Sequence, residues 1–108
     1  MSIHVYQASR ENLELMRDAF FYQEDGNIFN QYQALEAYEH GKYKLVATVD
    51  SDDPEEVFAI MNSGANRIDE VVSYRPYHSL SVGDILVDAD QILITASAGF
   101  DNLMELCR

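Results

Sequence analysis

Two apolar segments near the end of the chain are separated by too few residues to be anything but an antiparallel strand pair. Residues 84–88 and 91–97 are rich in aliphatic and β-branched side chains, and only Ala89 and Asp90 lie between them. A parallel pair needs a crossover connection of a dozen or more residues, so these two strands must form a hairpin. This constraint argues against a regular series of parallel βαβ units and favours an α+β fold.

Hydrophobic periodicity predicts the other elements. Residues 2–7 and 43–49 are typical of strands, and a short strand is predicted at residues 70–74. Helical spacing and capping residues predict four helical segments, at residues 10–21, 28–40, 54–64 and 100–107. We therefore predict a single domain over residues 1–108, with the helices packed on one face of a small, mostly antiparallel sheet.

Size and composition indicate a globular chain. With 108 residues, of which 47% are hydrophobic, it can bury enough surface to fold without crosslinks. Its one cysteine, Cys107, cannot form a disulfide within the chain, which is typical of a reducing cytoplasm. The first residues lack the basic start and apolar run of a signal peptide, and no apolar run approaches the roughly 20 residues that span a bilayer. We expect a cytoplasmic protein that does not enter the membrane.

Net charge is the property in which this chain departs furthest from an average domain. Nineteen Asp and Glu residues against seven Lys and Arg residues give a formal net charge of −12. Such a surface repels nucleic-acid phosphates and anionic lipids, because binding to both depends on Lys and Arg. It attracts cationic partners such as a basic protein groove, a metal ion or a polyamine. The alternative is that the acidity only keeps a small protein in solution.

The carboxylates that we predict to contact a partner form two groups in the sequence. They are Asp50, Asp52, Asp53, Glu55 and Glu56, followed by Asp84, Asp88 and Asp90. The alternative for the first group is a capped helix start, since Asp53 is a natural N-cap and Pro54 fits the first helical position.

The first group does not fit a calcium loop. An EF-hand loop that began at Asp50 would need Gly at its sixth position and Glu at its twelfth. This chain has Glu55 and Met61 at those positions. We predict no metal site and no cofactor.

No arrangement of residues in the sequence points to catalysis. The three histidines are far apart and lie outside known metal-binding motifs, and both a nucleophile elbow and a P-loop are absent. Cys107 is poorly placed for a preorganised pocket. We predict no catalytic residue and no enzymatic activity.

Two tyrosines are candidates for exposed anchors. Tyr74 and Tyr77 flank Arg75 and Pro76 in a predicted loop. Rigid aromatic rings beside carboxylates are common on protein-recognition surfaces. The alternative is that these rings belong to the core.

The tail carries a motif that is found elsewhere. Arg75 is followed by Ser79-Leu80-Ser81-Val82-Gly83-Asp84, a strand pair and then Gly99-Phe100. This arrangement resembles the tail of small uncharacterised bacterial, phage and plasmid proteins, including YodL-like ones, and residues 43–62 resemble the strand and helix that precede that tail. The resemblance implies a phage or mobile-element setting and carries over no catalytic residue. Locally, the motif predicts a strand start, because Gly83 permits positive φ and Asp84 can accept from backbone N–H groups.

These observations predict a non-enzymatic binding protein that docks an acidic face on a basic protein surface and does not bind nucleic acid directly. Duplex DNA carries one charge per roughly 1.7 Å of its axis, so carboxylates on a small rigid domain could occupy a groove meant for phosphates. In that form the chain would be a nucleic-acid-mimicking inhibitor of a host protein. The alternative is a small-ligand or metal-binding regulatory module, for which a homodimer is one arrangement.

Overall fold

The computed structural model describes residues 2–8, 12–20, 22, 30–63, 67, 69–97 and 99–104. Within these ranges the chain forms six strands and three α-helices. In chain order they are β1 (Ile3–Ala8), α1 (Leu13–Phe20), α2 (Gln31–Glu39), β2 (Tyr43–Val49), α3 (Pro54–Met61), β3 (Val71–Ser73), β4 (Ile85–Val87), β5 (Ile92–Ala96) and β6 (Gly99–Asn102). None of these helices is long and apolar enough to cross a membrane.

All six strands belong to one antiparallel sheet with the order β3-β2-β1-β4-β5-β6. β1 lies between β2 and β4 and is antiparallel to both. β4 and β5 form the hairpin that their short connection requires. The predicted α+β class with an antiparallel sheet is confirmed.

Each face of the sheet has its own core, because successive side chains of a strand point to opposite faces. On the helix-pair face, Ala19 of α1 and Leu35 of α2 pack with Ile85 of β4. On the α3 face, Ile60 of α3 packs with Leu86 of the same strand. The helices therefore lie on both faces, which differs from the one-sided packing that the sequence suggested. The reason is that β4 is apolar on both sides, and a single layer of helices covers only one of them.

Capping residues set the starts of two helices. The Asn30 side chain accepts from the N–H groups of Tyr32 and Gln33, and the Gln33 side chain accepts from the Asn30 N–H at 3.1 Å. This capping box starts α2 at Gln31, whereas the predicted start at residue 28 lies outside the described ranges. The predicted start of α3 is confirmed, with Asp53 as N-cap and Pro54 as the first helical residue.

The sequence suggests a helical turn over residues 100–107, but residues 99–102 form β6 instead. Gly99 has a φ of +99°, which lets the chain reverse and pair with β5, so that Phe100 lies opposite Thr95. This pairing satisfies backbone groups of β5 that would otherwise lie unpaired at the edge of the sheet. Residues 105–107 lie outside the described ranges.

Gly83 joins the tail motif to the rest of the fold. Its φ is +91°, its N–H donates to the Thr95 carbonyl at 2.9 Å, and its carbonyl accepts from the buried Tyr43 hydroxyl at 2.7 Å. A Cβ atom on Gly83 would overlap the carbonyl oxygen of Ala19. Only glycine therefore allows α1, β2 and β5 to meet at this turn.

Replacing Gly83 with alanine is expected to lower the free energy of unfolding by about 3 kcal/mol or more, because strain at positive φ adds to a clash with main-chain atoms. Gly41→Ala is the matched control, since Gly41 has a φ of +72° but no atom lies within 4 Å of the added Cβ. The control is expected to cost about 1 kcal/mol. Urea unfolding measures both values. Equal losses for the two variants would contradict the close contact between Gly83 and α1.

Candidate interaction surface

The register of the sheet brings the two predicted acidic groups to one end of the molecule. Val49, the last residue of β2, pairs with Ile3, and Val87, the last residue of β4, pairs with the next residue of β1. β1 lies between β2 and β4. These two strands therefore end at the same end of the sheet, on either side of β1 and about 10 Å apart. The segments that follow them begin with Asp50 and Asp88.

We refer to this region as the acidic end. It includes all of the predicted contact carboxylates except Asp84, and two more that precede β3, which starts opposite Val49. Its members are Asp50, Asp52, Asp53, Glu55, Glu56, Asp69, Glu70, Asp88 and Asp90. Asp88 and Glu70 are half-buried and the others are exposed. The predicted groups, distant in sequence, therefore share one surface.

Local hydrogen bonds hold the first group. The Ser51 hydroxyl accepts from the Asp53 N–H at 3.1 Å, and Asp53 Oδ1 accepts from the Glu55 N–H at 3.0 Å. The Asp50 N–H donates to the Glu70 carbonyl at 3.0 Å and attaches the segment to the residue before β3. The helix cap uses one carboxylate oxygen of Asp53 and leaves the neighbouring carboxylates in solvent. Capping and docking are therefore compatible roles for this segment.

A tight turn holds the second group. Asp88 Oδ1 accepts from the N–H groups of Asp90 and Gln91 at 2.8 and 3.0 Å, and its Oδ2 accepts from the Gln91 side chain at 3.3 Å. These hydrogen bonds, with that from Asp90 first, lower the pKa of Asp88. The turn therefore keeps Asp88 charged and leaves Asp90 exposed next to it.

Arg67 is the one cation that the described part of the chain places at the acidic end. Its Nε and Nη2 atoms donate to the two Glu70 oxygens at 2.5 and 2.8 Å, and Nη2 lies 3.9 Å from Glu56. Hydrogen bonding between Arg67 and Glu70 lowers the pKa of Glu70 and raises the pKa of Arg67. Surface pairs of this kind add little stability, so the main effect of Arg67 is to offset one negative charge.

The other described cations lie away from the acidic end. Lys42 and Lys44 are at the start of β2, at the opposite end of the sheet, and Arg75 follows the end of β3. Carboxylates also occur on α1 and α2, but Arg17 lies among them. In the described ranges, negative charge is therefore concentrated at the acidic end, where it strengthens the local electrostatic potential.

Asp84 does not belong to this surface, which corrects the prediction for this residue. It is only 5% exposed, and its Oδ2 accepts from the Gln7 side chain at 3.0 Å and from the Ser81 N–H at 2.9 Å. Burial raises the pKa of Asp84 to about 7, although the two hydrogen bonds and the nearby His78 act in the opposite direction. A carboxyl group in this position cannot meet a partner and instead holds the start of β4.

Gln7 is the residue of this cluster that sequence reasoning missed. It is 2% exposed, its Nε2 donates to the His78 carbonyl at 3.0 Å, and its Oε1 accepts from the His78 N–H at 3.3 Å. It thereby connects β1 to a loop 71 positions later in the chain. The one signal in the sequence is that Gln7 continues the inward-facing row of Ile3 and Val5.

The cluster around Asp84 contains a histidine and a serine, but their geometry is not that of a catalytic triad. His78 Nδ1 lies 4.0 Å from Asp84 Oδ2 and 3.5 Å from the Ser81 hydroxyl. In a triad the carboxylate and the hydroxyl contact different ring nitrogens. Here the same nitrogen also lies 2.7 Å from the Ser79 carbonyl oxygen. The arrangement ties the tail loop together and gives no support for acyl transfer.

An exposed patch that includes Val72 and Tyr74 adjoins the acidic end. Val72 and Tyr74 are 58% and 55% exposed. Val72 pairs with Thr48, whose hydroxyl lies 3.0 Å from the Tyr74 hydroxyl and 2.8 Å from His4 Nδ1. We refer to these four residues as the β3 patch. Tyr77, the other predicted anchor, is half-buried and packs against the core of the α3 face.

The described residues give little support to a metal or small-ligand site. No group of three or more His, Cys, Asp or Glu side chains among them could hold a metal ion. A depression of about 310 Å³ beside α1 and α2 is lined mainly by polar and charged side chains, among them Glu14, Glu36 and Lys42. Small-molecule sites are instead mostly apolar and enclose most of their ligand.

No protein-family model, curated protein or solved structure matches the chain. The resemblance of the tail to YodL-like proteins therefore stays a prediction. The acidic end and the β3 patch are the features of the molecule that bear on its function.

The burial of Asp84 predicts that lower pH stabilises the protein at this site. Its pKa is about 7 in the folded chain and about 4 in an unfolded chain, so the folded state binds the proton more tightly. This contribution is complete below about pH 4 and is lost as the pH rises through 7. Between pH 8 and pH 5, the wild type should gain on the order of 2 kcal/mol in unfolding free energy relative to Asp84→Asn. Urea unfolding at each pH measures the difference, and a constant difference would contradict the burial of Asp84.

Proposed function

We propose that the chain is a non-enzymatic binding protein that docks its acidic end on a basic protein surface. The observation that carries this proposal is the pairing of β1 with both β2 and β4, which makes those strands end side by side. Asp50 and Asp88 are separated in sequence by α3 and β3, yet each begins a segment at this end of the sheet. Because the fold brings carboxylates from distant segments together, their negative charges have a fixed spatial arrangement that a partner can recognise.

The density of charge at the acidic end favours a charged partner. At physiological ionic strength the Debye length is about 8 Å, which is comparable to the roughly 10 Å between the ends of β2 and β4, so charges on neighbouring segments are only partly screened from one another. The carboxylates of the acidic end come from adjoining segments, and one cation, Arg67, offsets them in the described ranges. Such a surface speeds up the encounter with a basic partner and rejects acidic ones.

A nucleic-acid-binding protein is the class of partner that this arrangement fits best. The grooves of such proteins carry Lys and Arg residues placed for phosphates. The ends of β2 and β4 are about 10 Å apart, so the two acidic groups present negative charge at two separate positions of such a groove. The two acidic groups would then take the places of phosphates, and the chain would inhibit its partner by competition.

The proposal also includes the cell in which the partner is found. The tail resembles proteins of phages and plasmids, and the single cysteine suits a reducing cytoplasm. We therefore place the partner among the nucleic-acid-handling proteins of a bacterial host. The alternative, a small-ligand or metal-binding regulatory module, has no comparable observation in its favour.

A bacterial lysate passed over the immobilised chain should leave at least one basic protein bound. This protein should elute between about 0.2 and 0.5 M NaCl, where the Debye length falls from about 7 to about 4 Å. The triple variant Asp50→Asn, Asp52→Asn, Asp90→Asn should no longer retain it, because charge is removed from both acidic groups while the α3 cap stays intact. Mass spectrometry of the eluted fractions measures the result.

The matched control removes the same charge from exposed positions on α1 and α2. It is the triple variant Glu14→Gln, Glu36→Gln, Glu39→Gln. This control should retain the basic protein as the wild type does. Equal retention or equal loss in the two triple variants would contradict docking through the acidic end.

A further inference from the structure

β3 is an edge strand whose outer backbone groups have no partner in the described chain. The Tyr74 N–H donates to the Val46 carbonyl at 2.9 Å, and the Glu70 carbonyl accepts from the Asp50 N–H. These two bonds fix the phase of the ladder, because hydrogen-bonded pairs alternate with non-hydrogen-bonded pairs in an antiparallel sheet. Residues 70, 72 and 74 therefore turn their backbone groups towards β2. Residues 71 and 73 turn theirs outward, where the described sheet has no further strand.

This edge is protected against strand addition only by its shortness, since β3 has three residues. Other edge strands are guarded by lysine, proline or a bulge. β3 instead has the sequence Val-Val-Ser and is followed by Tyr74. Its central residue, Val72, is 58% exposed and belongs to the β3 patch. An added strand would find both free backbone groups and an apolar side chain here.

The two ends of this edge carry opposite charges. Asp69 and Glu70 precede β3, and Asp50 lies against Glu70. Arg75, which is exposed, follows the strand. A segment that pairs with β3 in the antiparallel sense has its C-terminal end beside the carboxylates and its N-terminal end beside Arg75. Charge complementarity therefore requires basic residues near the C-terminal end of the segment.

We infer that β3 accepts an extended, cationic segment of the partner as a seventh, antiparallel strand of the sheet. An apolar side chain of this segment contacts Val72, and basic side chains at its C-terminal end contact Asp69 and Asp50. Strand addition gives affinity through main-chain hydrogen bonds and specificity through alternate side chains. The inference rests on the proposed function and adds the conformation and direction of the segment that the partner presents.

A cationic segment suits this edge better than a second copy of the chain does. Each copy has a formal net charge of −12, so two copies repel each other over their whole surface. A basic segment instead neutralises carboxylates of the acidic end as it pairs. The net charge of the protein thus favours a basic segment over a second copy of the chain at this edge.

The probe that tests this inference is the acetylated, amidated peptide Thr-Val-Thr-Val-Thr-Lys-Lys. Two further versions carry N-methyl groups, one on its valines and one on its threonines, so that charge and side chains are kept while alternate N–H donors are lost. One methylated version should bind at least about tenfold more weakly, because it loses hydrogen bonds to β3, and the other should bind like the parent peptide. NMR titration of the ¹⁵N-labelled protein measures the affinities, and the largest shift changes should be those of the Val71 and Ser73 amides.

Two variants locate the binding site. Val72→Lys places a cation in the path of the added strand and should weaken binding of the parent peptide about tenfold or more. Tyr32→Lys, a change of the same charge at a 67% exposed position on α2, should leave the affinity unchanged. Equal effects of the two variants would overturn the inference.

The remaining outcomes separate this inference from the proposed function. Equal binding of all three peptides, with shift changes at Asp50 and Asp90, would mean docking by charge alone, so the inference would fail and the proposed function would stand. If no peptide binds, the inference fails, and the lysate capture decides the proposed function separately. If the protein alone forms a dimer that Val72→Lys disrupts, the occupant is a second copy and the inference is overturned.

Discussion

The whole structure depends on the antiparallel pairing of β1 with two strands that come much later in the chain. This pairing turns Ile3 and Val5 into the core of the α3 face and turns Ala8 into the core of the helix-pair face. A shift of one residue would turn each of these side chains towards the opposite face, where the packing partners are different. The same register makes β2 and β4 end together. The hydrophobic core and the acidic end therefore have a common cause.

The tail motif acts at the other end of these strands. Gly83 lets α1 approach the start of β4, and Gln7 and Ser81 hold the buried Asp84 carboxyl. Burying a carboxyl group is costly unless it is hydrogen-bonded, which explains why this one is surrounded by donors. The motif thus determines how the tail joins β1, and it indicates no chemical reaction. Most carboxylates of the acidic end are exposed to solvent, and the ones with a structural task, Asp53 and Asp88, make only local hydrogen bonds.

Sequence reasoning succeeded where the signal is local. Asp53 and Pro54 define the start of α3 within two residues, and the short connection between β4 and β5 determines their direction. It failed where a distant partner decides the outcome. Asp84 is buried because Gln7, 77 positions away, binds it, and Phe100 lies in a strand because β5 offers an edge. The acidic residues could be named from the sequence, but only the strand order shows that they meet.

The most direct test of this account is the measurement of backbone proton contacts of His4 by NMR. The register predicts contacts from His4 to Thr48 on one side and to Val87 on the other, since β1 pairs with both strands. Finding both contacts would establish that the segments after β2 and β4 emerge side by side. Contacts on one side only, or contacts displaced by one residue, would separate the two acidic groups and contradict the account.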